Sequence, residues 1–208
     1  MTKPLGVILG GGQARRMQGE TKGLLDLGGQ TLLAEVIARL APQCAGLVLN
    51  ANDAAARYAG YGLPVLPDSI TGWPGPLAGV LAGMDYAAAL GHSHILTAAA
   101  DTPFLPRDLG ERLAEAARAG GQPIALAATW EEGRLMRQPT FGLWPVALRE
   151  DLRDAVTGGL SKIVLWTDRH GTATAQFGTQ PVHPFFNVNT PEDLATGRAL
   201  WQKLSADT

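Results

Sequence analysis

The sequence contains one cysteine in 208 residues. Cys44, in Pro42-Gln43-Cys44-Ala45, therefore has no partner for an internal disulfide and no second thiol for a metal site, and it reads as a buried structural thiol. Excess charge is also missing: 17 lysines and arginines stand against 19 acidic residues, a net charge of −2. That balance excludes the basic footprint of a nucleic-acid or anionic-membrane binder. No run approaches the roughly 18 consecutive apolar residues of a membrane span. The first residues lack the basic and hydrophobic regions of a signal peptide, so the cytoplasm is the expected location. His92 and His94 would share a face on a strand, but no third ligand accompanies them and ordinary packing is the expectation.

The hydrophobic share of 46% and charged share of 17% are those of a soluble globular protein. The length suits a single domain burying roughly 70% of its unfolded surface. Short apolar runs at 5–9, 46–50, 64–66, 94–98, 124–128 and 172–177 are predicted strands. They alternate with predicted helices at 31–40, 53–59, 76–90, 107–119, 145–156, 161–167 and 191–204. Such alternation predicts an α/β fold, a mainly parallel Rossmann-like sheet with helices on both faces. Thr190 as N-cap, Pro191 at the first helical position and Asp193 three residues past the cap give the last helix a clear start. Trp130-Glu131-Glu132-Gly133-Arg134 reads as a turn between strands, so the second half is expected to be less regular.

Leu5-Gly6-Val7-Ile8-Leu9 opens into Gly10-Gly11-Gly12-Gln13-Ala14-Arg15-Arg16-Met17-Gln18-Gly19-Glu20-Thr21-Lys22. Glycines let backbone N–H groups approach an anion closely, and the cations behind them supply charge where a polyphosphate would sit. The string is not a P-loop, because Gly19-Glu20-Thr21-Lys22 lacks the Gly-Lys-Ser/Thr step. It is not a dinucleotide fingerprint either, because Arg15 occupies the third glycine position.

In open α/β sheets ligands bind beyond the carboxyl ends of the strands. Polar or acidic residues recur at those exits: the glycine loop after the first strand, Asn50 at the end of the second, Asp68 after the third and Asp101 after the fourth. His94-Ile95-Leu96-Thr97-Ala98-Ala99-Ala100 brings the chain out of the core into Asp101-Thr102-Pro103. One carboxylate there is enough to anchor a Mg²⁺–triphosphate complex, since Mg²⁺ takes one or two carboxylates together with waters and substrate phosphates.

The loop from Leu9 to Leu25 resembles the L-A-G-G-x-x-x-R-M-x-x-x-K-x-L signature of nucleotidyltransferases, and within them the molybdenum cofactor guanylyltransferases. The resemblance extends over Val48-Leu49-Asn50-Ala51-Asn52, Pro67-Asp68, Gly75-Pro76-Leu77-Ala78-Gly79, Asp101-Thr102-Pro103 and the segment from Phe186 to Leu194. It implies that Leu9, Gly10, Gly11, Lys22, Asn50, Asp68 and Asp101 contact GTP and that Asp101 holds Mg²⁺. It also implies that Arg16, Lys22 and Asp101 stabilise the transferring phosphates. Arg137, Lys162, Asn187 and Asn189 are its candidates for the acceptor. Gly10 replaces the usual alanine, Thr21 stands where the family commonly has aspartate, and Ala100 replaces a common cysteine.

The resemblance implies transfer of GMP from GTP to molybdopterin-bound molybdenum with release of pyrophosphate. Its partners would be these two substrates and, transiently, molybdenum-insertion proteins or molybdoenzyme chaperones, with neither nucleic acid nor membrane. The same chemistry with CTP or on a sugar phosphate is the nearest alternative. A non-catalytic nucleotide-binding regulator is the alternative of another class.

Overall fold

Strand β1 (Leu5–Leu9) is apolar throughout because helices cover both of its faces. Ile8 enters one hydrophobic cluster, while Leu5, Val7 and Leu9 enter another. The computed structural model describes residues 2–10, 21–70, 72 and 75–206. After β1 come α1 (Leu32–Leu40), β2 (Gly46–Asn50), β3 (Val65–Leu66), α2 (Pro76–Ala89), β4 (His94–Ala99) and α3 (Leu109–Gly120). The remainder is β5 (Ile124–Glu131), β6 (Arg134–Pro145), α4 (Arg149–Thr157), α5 (Ile163–His170), β7 (Thr172–Phe177) and α6 (Pro191–Ala206). The seven strands form one sheet in the order β3-β2-β1-β4-β6-β5-β7. Only β6 runs antiparallel to its neighbours.

Helices α1 and α3 cover one face, with Leu33, Val36, Leu109 and Leu113 wholly buried. Helices α2, α4 and α5 cover the other through Leu81, Met84, Leu152 and Trp166. Helix α6 closes a smaller cluster in which Leu194 and Trp201 meet Leu27, Leu32 and Val188. The expected doubly covered, mainly parallel α/β sheet is therefore the observed one. A Cβ at Gly83 would come within 2.5 Å of Val7, so this glycine is what lets α2 lie directly on β1.

The sequence pattern gave β6 no range, although the turn between strands at 130–134 implied a strand after it. Two features hide it: Pro139 has no N–H to give a ladder, and Gly142 is a poor strand former. The structure accommodates both at an irregularity. The β5–β6 register jumps between Leu126, opposite Gly142, and Ala127, opposite Gln138, which leaves Pro139 outside the ladder. Gly142 then pairs with Thr97, whose hydroxyl accepts from Trp144 Nε1 at 2.9 Å. The predicted turn at 130–134 is tighter than expected, with positive φ at Glu132 and Gly133 only. Two predicted helices also differ. The stretch after Asp53 is a 3₁₀ helix, Ala55–Tyr61, and Pro145 ends a strand, with α4 beginning at Arg149 after a 3₁₀ turn.

Candidate active site at the carboxyl edge of the sheet

The exits of β1, β2, β3 and β4 lie side by side. The Gly10 N–H donates to the Asn50 carbonyl at 2.9 Å, and the Ala100 N–H donates to the Leu9 carbonyl at 3.1 Å. Leu9 is buried under α2, so any contact it makes with a ligand would be through backbone. Gly11 and Arg16 lie outside the described residues.

At the β2–β3 end, Asn50 and Asn52 clamp Asp68. Asn50 Nδ2 donates to Asp68 Oδ1 at 2.9 Å and to the Leu66 carbonyl at 3.2 Å. Asn52 Nδ2 donates to Asp68 Oδ2 at 2.7 Å, and the Asp68 N–H returns to Asn52 Oδ1 at 2.8 Å. Both carboxylate oxygens are thus oriented, while each keeps acceptor capacity for a ligand. Asn50 is wholly buried, and its Oδ1 has no hydrogen-bond partner among the described residues. That atom rests on Gly79, where a Cβ would come within 2.2 Å of it.

Gly79→Ala is therefore expected to push the Asn50 amide off Asp68. The expected cost is about 1–3 kcal/mol of stability, typical of overpacking, together with at least a roughly tenfold loss of nucleotide affinity, about 1.4 kcal/mol. Gly83→Ala strikes Val7 in apolar packing and should cost stability alone. Denaturant unfolding and nucleotide titration of both variants would separate the two effects; equal affinities would remove Gly79 from the site.

At the β1–β4 end, Thr21 donates to Asp53 Oδ2 at 2.9 Å and Tyr58 donates to Asp53 Oδ1 at 2.7 Å. Thr21, where the resembling family commonly has aspartate, is in this way tied down by a carboxylate from another loop, which fixes the start of the Lys22–Leu24 turn. Lys22 Nζ donates to Asn189 Oδ1 at 2.6 Å. Asn189 is held in turn by a reciprocal cap on α6. The N–H groups of Asn189 and Thr190 both donate to Asp193 Oδ2 at 2.9 Å, and the Asp193 N–H donates to Thr190 Oγ1 at 3.1 Å. The Asn189 N–H, foremost among these donors, holds the Asp193 carboxyl below the usual carboxylate range.

Asp101 lies within the field of this lysine. The Val188 N–H donates to the Asp101 carbonyl at 3.0 Å. The Thr102 hydroxyl, wholly buried, donates to Asn187 Oδ1 and lies 3.4 Å from Asp101 Oδ1. Burial pushes the Asp101 carboxyl above its ordinary range, against the pull of the Lys22 ammonium, the Asp101 backbone N–H and the Thr102 hydroxyl. A largely desolvated carboxylate with no ion pair in contact among the described residues could take a cation as its partner. Among the described residues no cluster of three or more His, Cys, Asp or Glu could hold a metal. A cation here would take its remaining ligands from substrate phosphates and water, which is the habit of Mg²⁺.

The other expectations divide. Asn187 and Asn189 do meet Asp101 and Lys22, through Thr102 and directly. Arg137 is instead committed to Asp168 on α5, in a two-pronged pair at 2.5 and 3.1 Å. Lys162 is exposed at the N-terminus of α5, beside Ser161, which packs against Gly75 at the start of α2. Cys44 is buried, and burial pushes its thiol up to about 12, so it stays protonated and inert. His92 precedes β4 and does not share its face with His94. No helix of the described residues is long and apolar enough to cross a membrane.

Residues 6–173 match the family model described as "MobA-like NTP transferase domain". The chain belongs to this family. Its similarity to curated members is high: it is 50% identical over 198 residues to the molybdenum cofactor guanylyltransferase of Bradyrhizobium sp. (strain ORS 278), covering 94% of this chain and 92% of that one. Among solved structures, molybdopterin-guanine dinucleotide biosynthesis protein A from Archaeoglobus fulgidus superposes with a TM-score of 0.71 at 22% identity, covering 96% of this chain and 99% of that one. The 2-C-methyl-D-erythritol 4-phosphate cytidylyltransferase of Thermus thermophilus superposes with a TM-score of 0.70 at 22% identity, covering 97% of this chain and 100% of that one. These two structures establish the fold that MobA-like members share with a cytidylyl enzyme.

Proposed function

We propose that this nucleotidyltransferase moves GMP from GTP onto the terminal phosphate of molybdopterin-bound molybdenum cofactor and releases pyrophosphate. The order of groups along the sheet edge carries this reading. The strand exits run in the order β3, β2, β1, β4, so Asp68, held at the β2 exit by Asn50, and Asp101, beyond β4, stand on either side of the β1 exit. That arrangement suits a nucleotide with its base at one end and its phosphates at the other. Asp68, held by Asn50 and Asn52, offers two acceptor oxygens to the N–H donors on the Watson–Crick edge of guanine. Gly10, Gly11, Arg16 and Lys22 serve the triphosphate, and Asp101 serves the metal. The 50% identity with a named guanylyltransferase supports guanine over cytosine.

The acceptor phosphate has a second pKa near 6 and is largely a dianion at neutral pH, so no base is needed to activate it. Its oxygen attacks the α-phosphorus, the new P–O bond forms as the bond to the β-phosphate oxygen breaks, and the electron pair leaves with pyrophosphate. Lys22 and Arg16 meet the charge that develops on the leaving group, and the edge holds both substrates in line. Asp101 would hold Mg²⁺, which, when bound, neutralises phosphate charge. Asn187 and Asn189 face the acceptor from beyond β4, and the exposed Lys162 reaches it from the α5 side.

Pyrophosphate release measured with GTP, CTP and ATP, with and without molybdenum cofactor, tests this directly. GTP should be preferred by roughly ten- to a hundredfold, because each unpaired buried base contact costs about 1–3 kcal/mol. Better turnover with CTP would reassign the base. No acceptor-dependent release with any nucleotide would overturn the enzymatic reading.

A further inference from the structure

Asn187 and Asn189 are arranged alike. Each turns its carboxamide oxygen toward a donor on the catalytic edge: Asn187 Oδ1 takes the Thr102 hydroxyl and Asn189 Oδ1 takes the Lys22 ammonium. Each leaves its N–H₂ group without an acceptor among the described residues, and both side chains are exposed. Between them Val188 is wholly buried and its N–H is bonded to the Asp101 carbonyl, so the spacing of the two amides is fixed by backbone. Two amides two residues apart, each with its oxygen bonded and its N–H₂ unpaired among the described residues, have donors to offer an anion.

We propose that Thr102 is the positioning residue for the acceptor substrate. Its hydroxyl sets the Asn187 carboxamide so that the outward N–H₂, beside that of Asn189, donates to the acceptor's terminal phosphate. The inference rests on the guanylyl-transfer reading and adds to it a side chain that touches neither substrate. Thr102 suits the task because it is wholly buried. A buried hydroxyl seeks a partner, and of the two oxygens within its reach, Asn187 Oδ1 and the more distant Asp101 Oδ1, the nearer takes its one hydrogen. An Asn side chain without this anchor is free to rotate and present oxygen to the phosphate, which is repulsive.

A double-mutant cycle tests this with the full-length enzyme, Mg²⁺·GTP and molybdenum cofactor. Thr102→Val should raise the acceptor KM about tenfold while GTP affinity and melting temperature stay near wild type, and Thr102→Ser should restore the wild-type value. In an Asn187→Ala background, Thr102→Val should cost nothing more, because the group it acts through is gone. Equal losses in the two backgrounds, or an unchanged acceptor KM in the Thr102→Val enzyme, would overturn the proposal. Asn187→Asp supplies a second check that leaves Thr102 intact. It keeps an oxygen for the hydroxyl but replaces the outward donor with a carboxylate oxygen, so the acceptor KM should rise at least as far as in Asn187→Ala, and a wild-type KM would overturn the proposal. If the wild-type enzyme shows no acceptor-dependent transfer at all, it is the guanylyl-transfer reading that fails. Normal transfer with an additive cycle removes Thr102 alone.

Discussion

Asp101→Asn should abolish most of the turnover and at the same time make the protein without metal more stable. The substitution keeps the size and the oxygen of the side chain but removes its charge. Loss of a preorganised charged group in such a site costs on the order of 10³-fold in rate, about 4 kcal/mol of transition-state stabilisation. The stability gain follows from burial, which holds the Asp101 carboxyl above its ordinary range. A carboxylate whose folded pKa is raised contributes stability below its unfolded pKa and loses that contribution as pH rises through the folded value. At neutral pH, chelator-treated wild type bears the full cost of an ionised, desolvated Asp101, and the asparagine variant does not.

Thermal melts with chelator across pH would read this. The variant should melt higher at neutral pH, and the difference should close as pH falls below the usual carboxylate range. Mg²⁺·GTP should stabilise wild type far more than the variant, since only the former has a charge to share with the cation. Equal melting temperatures at all pH values together with near-normal Mg²⁺-dependent turnover would place Asp101 outside the site.

Where local pattern and tertiary structure agree, the sequence was sufficient. β1, β2 and β7 begin and end where the sequence pattern puts them, β1 because both its faces are covered, and β7, at the sheet edge, because its alternate residues Ala173, Ala175 and Phe177 are buried. Thr190 and Asp193 announced the start of α6, and their bonds to Asn189 and to each other are the expected cap. β6 was hidden because its strand character depends on partners far along the chain. Thr97 and Trp144 fix its register through a buried hydroxyl, and no local propensity at Pro139 or Gly142 hints at it.

The candidate site divides in the same way. Asn50, Asp68, Lys22 and Asp101 were legible because strand exits of an open sheet converge on one edge. Asn52, Asp53 and Thr102 carry no such signal, although Asn52 and Thr102 stand within stretches that resemble the family. Each acts on another side chain across the edge: Asn52 on Asp68, Asp53 on Thr21, Thr102 on Asn187. Such roles follow from three-dimensional proximity between segments up to 85 residues apart, which spacing in sequence does not encode. Arg137 shows the converse. Arg137 was an acceptor candidate through the resemblance, and nothing in its sequence surroundings announced Asp168, the partner that the packing of α5 on β6 places opposite it.

Lys22→Ala should reduce transfer by on the order of a hundredfold, about 2.7 kcal/mol, through two separable effects. The first is the loss of a cation that opposes charge on the triphosphate, which weakens GTP binding and slows the chemical step. The second is the release of Asn189, whose oxygen Lys22 holds at 2.6 Å, with a rise in acceptor KM. Asn189→Ala isolates the second effect, so the double variant should behave like Lys22→Ala in its acceptor KM and show the additional loss only in GTP affinity and single-turnover rate. A third consequence concerns pH. The Lys22 ammonium is the chief influence holding Asp101 down against burial; without it the carboxyl moves further up. Activity that needs the ionised carboxylate must then fail at a higher pH than in wild type, so the acid limb of the rate profile should move upward in Lys22→Ala and stay in place in Asn189→Ala. Unchanged GTP affinity and an unmoved acid limb would reduce Lys22 to a solvated surface charge.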